Sequence, residues 1–170
     1  YTSSEIVASD LCMPHSPRRH DGRLRVLDSG KGRLVIIDPS SGKIDEVESY
    51  PGFGRGVACC GQFAFVGMSR ARETSVFGGV PICKSPDSMR CGLVVVDLNT
   101  GKSEAFLEFE SGVEELFDVQ VIPNCSRAML SGPYPREDRT RPVWVVPGES
   151  QQVKMSKMDA SAAVARNRKG

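Results

Sequence analysis

From about residue 20 to residue 122, apolar and polar side chains alternate over short runs, and the runs are separated by Gly, Asp, Asn, Ser and Pro. A period of two over such lengths predicts half-buried β-strands, and the separators predict tight turns. One run repeats. "LVIIDPSSGK" at 34–43 returns 59 residues later as "LVVVDLNTGK" at 93–102. Both copies place branched apolar residues before an Asp and a turn that ends in Gly-Lys, a hairpin pattern.

The repetition extends on either side. "HDGRLRVLDSG" (20–30) and "CGQFAFVGMSR" (60–70) precede the two copies, while "IDEVESYPG" (44–52) and "SEAFLEFESG" (103–112) follow them. "GRGVACC" (54–60) and "LFDVQVI" (116–122) then begin the next units. A weaker third copy is carried by "CSRAMLSGP" (125–133), "PVWVVPGES" (142–150) and "QQVKMS" (151–156). Four short strands per unit at this period predict an all-β, β-propeller-like chain of about three four-stranded blades, a partial or half propeller.

The expected boundaries are an outer strand of a preceding blade at 4–12, then blades at 13–52, 53–112 and 113–156. The second blade carries a Gly-, Pro- and Ser-containing insertion at 71–90, and a basic tail at 157–170 is a short helix or disordered. A β-sandwich also has regular short strands, but nothing in that architecture requires the repeated phrase. Closed propellers have about four to eight blades. A half ring is therefore expected to be completed by self-association or by a protein partner, because its open edges need cover.

Composition narrows the function classes. The chain has 170 residues, enough for one domain, and a formal net charge of +1, which removes the basic footprint of a nucleic-acid binder. No apolar run approaches the roughly 20 residues of a membrane-spanning helix. Six cysteines at 12, 59, 60, 83, 91 and 125 include an adjacent pair and no C-x-x-C, so reduced thiols are expected rather than a disulfide framework or a structural zinc site. That expectation favours a cytosol-like reducing compartment. The chain begins at Tyr1 rather than Met, which leaves room for a targeting segment removed by processing.

The candidate chemistry lies where the first strand of each unit would face a common centre. Aligning the units places His15, Ser16 and Arg18 with Arg55 and with Glu115, Phe117 and Asp118. Charges gathered there are costly unless paired. Either Arg18 and Arg55 form anion-binding forks with Glu115 and Asp118 as acceptors, or these groups make an internal salt-bridge network. Asp28, Glu115 and Asp118 could supply three oxygen ligands to Ca²⁺ or another divalent cation. Asp28 has a competing role in turn hydrogen bonding. Arg72 and Glu73 open the insertion, as lid residues or as pins for the loop itself. Asp38 and Asp97, at matching turn starts, are expected to be structural, and Cys59, Cys60 and Cys91 to lie in the core. No P-loop and no G-x-S-x-G elbow is present.

The phrases "MPHSPRRHDGRLRVLDSG", "PGFGRGVA", "AFVGMSRARET", "FGGVPI", "RCGLVVVDL" and "GVEELFDVQV" closely resemble the C-terminal half of a family of bacterial conserved hypothetical proteins, from about residue 4 to residue 130. The resemblance implies a propeller-like domain of unknown function, with no catalytic residues to carry over. This chain departs from that pattern at Arg19 and Arg25, where an aromatic is expected. More remotely, the turn-and-strand phrase is similar to NHL repeats and to calcium-dependent propellers of the gluconolactonase type.

The expected function is a non-enzymatic binding or assembly module using the propeller face, an accessory subunit of a larger complex. The competing expectation is a divalent-metal-dependent propeller hydrolase or lactonase, with Asp28, Glu115 and Asp118 on the metal and His15 as proton carrier.

Overall fold

A computed structural model describes residues 4–70, 79–84, 86–126, 129–130 and 144–145. The chain falls into two compact units that divide after Val121.

The first unit contains two four-stranded antiparallel sheets, each an unbroken meander. Sheet 1 comprises β1 (Pro14–His20), β2 (Arg23–Asp28), β3 (Arg33–Ile37) and β4 (Ile44–Ser49). Sheet 2 comprises β5 (Phe53–Cys60), β6 (Phe63–Ser69), β7 (Gly92–Asp97) and β8 (Lys102–Glu108). No α-helix occurs among the described residues, and none of their helices is long and apolar enough to cross a membrane. The sheets lie against each other with β1 beside β5 and β4 beside β8.

The turns follow from local chemistry. Asp38 accepts from the Ser40 amide and the Ser41 hydroxyl, both at 2.8 Å, and Gly42 N–H closes the turn on the Asp38 carbonyl at 2.8 Å. In the second copy Asp97 accepts from Asn99 N at 2.8 Å and Gly101 N–H returns to the Asp97 carbonyl at 2.8 Å. These are Asx turns, which an Asp at the first position and a Gly at the left-handed one favour.

Register shows how far the repeat reaches. Leu27 pairs with Leu34 and Arg25 with Ile36 in sheet 1, while Gly67 pairs with Leu93 and Phe65 with Val95 in sheet 2. Arg25 therefore occupies the place of Phe65. Both first strands are irregular at the same place, between His15 and Arg18 in β1 and between Gly54 and Val57 in β5. Ser16 and Gly56, which correspond, have positive φ of 50° and 78°. After the second strand Ser29 donates to the Gly54 carbonyl at 2.6 Å. Ser69 stands in the same relation to Leu116, donating to its carbonyl at 3.1 Å and accepting its N–H at 2.9 Å. The segment around 114–119 thus meets sheet 2 as 52–57 meets sheet 1. It is irregular rather than a strand, so the strand expected at 116–122 does not form.

One core lies between the sheets. Leu27 and Leu34 of sheet 1 meet Val57, Ala64, Val66, Met68, Val94 and Val96 of sheet 2, all buried. A second cluster, Val26, Val35 and Ile37, lies on the opposite face of sheet 1, under Ala8 and Leu11. The N-terminal segment, expected as a strand at 4–12, has no strand pairing; it covers this face through side chains and through Gly30 N–H to Cys12 O at 2.9 Å. Of the insertion, the described part forms two 3-10 turns, Pro81–Lys84 and Pro86–Ser88.

In the second unit Met129–Leu130 (β9) pairs antiparallel with Trp144–Val145 (β10). The strand expected at 151–156 and the tail at 157–170 lie outside the described residues.

Leu34 is fully buried because sheet 2 covers it, whereas Leu93, its counterpart, is only partly buried. In urea denaturation, Leu34→Ala is expected to cost about 2–5 kcal/mol, the range for a large-to-small change in a packed core. Leu93→Ala should cost less than half as much, and equal costs would show that its face is as fully covered.

Candidate functional site

The polar groups that could carry chemistry gather where β1, β5 and the segment around 114–119 converge. Packing fixes this convergence. A Cβ at Gly56 would lie 2.6 Å from Asp118 Cα and 2.5 Å from Val119 N, so only glycine admits the segment there. Ser16 Oγ accepts from Gly56 N–H at 3.1 Å and ties β1 to β5.

Around this junction the expected residues separate into groups. Arg18 Nη2 lies 3.8 Å from Asp118 Oδ1, a long ion pair with both side chains more than a third exposed (42% and 52%). Asp118 is held more closely by Val119 N at 2.9 Å and Gln120 Nε2 at 2.8 Å. The Gln120 and Val119 hydrogen bonds, ahead of Arg18, hold its carboxyl below the usual carboxylate range. Arg55 places its guanidinium 4.8 Å from the centroid of the Phe117 ring, a cation–π contact. The structure therefore brings Arg18, Arg55, Phe117 and Asp118 into one region.

His15 has a structural environment. Its Nδ1 donates to the Met13 carbonyl at 2.8 Å, and its ring stands edge-on to Phe53, 5.4 Å between centroids. Glu115 is partly buried on the side of Cys91, whose thiol it helps to push up behind the larger effect of burial. Arg72 and Glu73 lie outside the described residues.

Asp28, Glu115 and Asp118 do not form one metal site. Among the described residues no group of three or more His, Cys, Asp or Glu side chains is placed to hold an ion. Asp28 is fully buried with its oxygens occupied. Oδ1 accepts from Cys12 N at 2.7 Å; Oδ2 accepts from Arg33 Nε and Nη2, both at 2.9 Å, with Lys31 Nζ at 3.5 Å. Its orientation explains the correction. Asp28 follows the parity of Val26, so it faces the N-terminal segment rather than the junction, and its role is to fasten that segment to sheet 1.

Two polar groups escaped the list of candidates. Arg25 is 3% exposed, and its Nη1 donates to the His20 carbonyl while Nε is buried with no acceptor. It faces sheet 2, close enough to lower the Cys59 thiol against the stronger upward push of burial, as Arg18 also does. Its signal in the sequence was a charge at an inward position of an apolar strand, opposite Arg18 in register. Tyr50 is buried between the sheets with its hydroxyl unpartnered, and a Cβ at Gly54 would lie 2.3 Å from that hydroxyl. All six cysteines are free thiols.

Fold and site together define an all-β protein with two four-stranded antiparallel sheets and an arginine-bearing junction at their first strands. A family model described as a domain of unknown function (DUF4915) matches residues 1–130, and the chain belongs to that family. Neither a curated protein nor a solved structure matches it.

Two outcomes follow. Asp28→Asn keeps an acceptor for Cys12 but weakens the hold on Arg33, and should lower stability by about 1.5–3 kcal/mol, as expected for hydrogen bonds to a charged group. Limited proteolysis should then cut faster within residues 4–12, and an unchanged rate would contradict the fastening role. Burial, then the Asp28 charge, push the Tyr50 hydroxyl far above its ordinary range. A raised folded pKa gives stability that is complete below the tyrosine's unfolded value, about 10, and is lost as pH rises above it. Tyr50→Phe should therefore match or exceed wild-type stability at pH 7 and flatten its alkaline loss, measured by denaturation between pH 8 and about 11.

Proposed function

We propose that the chain is a portion of a β-propeller acting as a non-enzymatic binding or assembly module, an accessory subunit whose open ends are completed by a second copy or by a protein partner. One observation carries this: the face that sheet 2 buries on sheet 1 recurs on the far side of sheet 2 without equal cover. Leu34 is fully buried and Leu93 partly, while Phe65 and Val95 on that same far face are also partly buried. Each sheet thus prepares an apolar face for a successor, which is how propeller blades stack.

The step from Ser29 to Gly54, repeated from Ser69 to Leu116, supports a third blade over 113–156. At the other end the segment over sheet 1 carries Ile6 at 82% and Val7 at 39% exposure, apolar side chains available to an incoming chain. Propellers commonly present such rigid surfaces to partners. The junction of Arg18, Arg55 and Asp118, with Glu115 nearby in sequence, is the polar part of that surface in this proposal. The hydrolase or lactonase alternative relied on a shared cation at Asp28, Glu115 and Asp118, and no specific observation favours it.

Sedimentation velocity across a wide concentration range tests the assembly. The wild type is expected to self-associate, or to be recovered with a defined stoichiometric partner, and Ile6→Asp to weaken that association about tenfold without changing the melting temperature. A monomer at all concentrations with no partner, or association indifferent to Ile6→Asp and Val7→Asp, would overturn it. Turnover of a small substrate abolished by Glu115→Gln would replace it with an enzymatic function.

A further inference from the structure

We propose that Arg25 and Arg18 form a binding site for a small oxyanion, a carboxylate or phosphate group, between the first strands of the two sheets. Arg25 and Arg18 are cross-strand partners in register, so both side chains leave the face of sheet 1 turned toward sheet 2. Like charges directly opposite each other destabilise a sheet. Arg25 is also nearly inaccessible, at 3% exposure. A guanidinium has five N–H donors and remains charged in proteins. Here one nitrogen reaches a backbone carbonyl, that of His20, and Nε is buried with no acceptor.

No carboxylate among the described residues pairs with Arg25. The acidic groups nearest the junction are engaged elsewhere. Asp118 is bound by Val119 and Gln120 and lies 3.8 Å from Arg18, and Asp21 is 71% exposed and lies 3.1 Å from His20 Nε2. Cys59, which faces both arginines, has its thiol pushed up by burial and supplies no negative charge at neutral pH. A buried charge without a counter-charge is strongly unfavourable, and the counterpart position in sheet 2 is the neutral Phe65, so the fold itself does not require a cation here.

What the arrangement offers is a planar fork, matched to two oxygens of an oxyanion, with a second, half-exposed arginine at the rim through which the anion would enter. Arg18 can turn to it because both of its contacts, Nη1 to the Pro17 carbonyl at 3.2 Å and the 3.8 Å pairing with Asp118, are solvent-exposed. The site lies within sheets 1 and 2 and does not depend on self-association, so it stands or falls separately from the assembly described above.

The test uses the full chain in sodium chloride, with phosphate or acetate added at constant ionic strength and the melting temperature followed. A bound anion raises it saturably, by the logarithm of its concentration over Kd. General salting effects of phosphate rise without saturation and persist in every variant. Expected is saturation in the millimolar range or below for at least one anion, the stronger of the two identifying the class. Arg25→Met should abolish the response while leaving the melting temperature in chloride equal or higher, because an unpaired buried charge has been removed. Arg18→Gln should weaken binding about tenfold. Should Arg25→Met fail to fold, Arg18→Gln and direct calorimetry of the wild type decide. No saturable response in the wild type, or the same response in both variants, would overturn the proposal.

Discussion

The core of this protein depends on the face-to-face contact of its two sheets. Leu27 and Leu34 have no access to water because Val57, Val66 and Val94 arrive on the neighbouring sheet. The rest of the architecture serves that stacking. The serines after the second strands tie each sheet to the chain that follows it, Ser29 to Gly54 and Ser69 to Leu116. The N-terminal segment closes the face of sheet 1 turned away from sheet 2.

Charge within such a stack needs a specific answer at each position, and two answers are visible. Asp28 is satisfied in full by a backbone amide and by Arg33, with Lys31 close by, so the fully buried carboxylate becomes a clasp between the N-terminal segment and sheet 1. Arg25 is satisfied only in part: Nη1 reaches the His20 carbonyl, and Nε is buried without an acceptor. The contrast lies on opposite faces of one strand. The face toward the N-terminal segment is completed by the chain itself, and the face toward sheet 2 holds a buried donor without an acceptor. Arg55 is intermediate, settled on the Phe117 ring rather than on an anion.

Much of the fold was legible because the repeat is backbone-deep. "LVIID" and "LVVVD" fix strand, parity and turn together, and Asp38 and Asp97 perform the same local hydrogen bonding in both copies. The pairing of Arg18 with Asp118 and the placing of Arg55 beside Phe117 were also within reach, since aligned units put those residues at one end. Three features were not. The N-terminal segment alternates like a strand but lies over the face of sheet 1, on Val26, Val35 and Ile37, rather than along an edge. Asp28 was assigned to the common junction because it ends a strand there, yet one residue of parity turns it to the other face. Arg25 looked like a lost aromatic, and only burial reveals it as a stranded charge.

The long excursion of the second sheet leaves after Arg70 and returns at Arg90, and both ends are moored on the main chain: Arg70 N–H to Glu114 O and Arg90 N–H to Pro51 O, at 2.9 and 2.7 Å. Those moorings sit beside the serine step rather than within the excursion. The excursion also joins the packing, because Val80 and Met89 within it are buried and Ile82 lies against Gly32. Its sequence is therefore held at those side chains as well as at the two backbone contacts that anchor its ends.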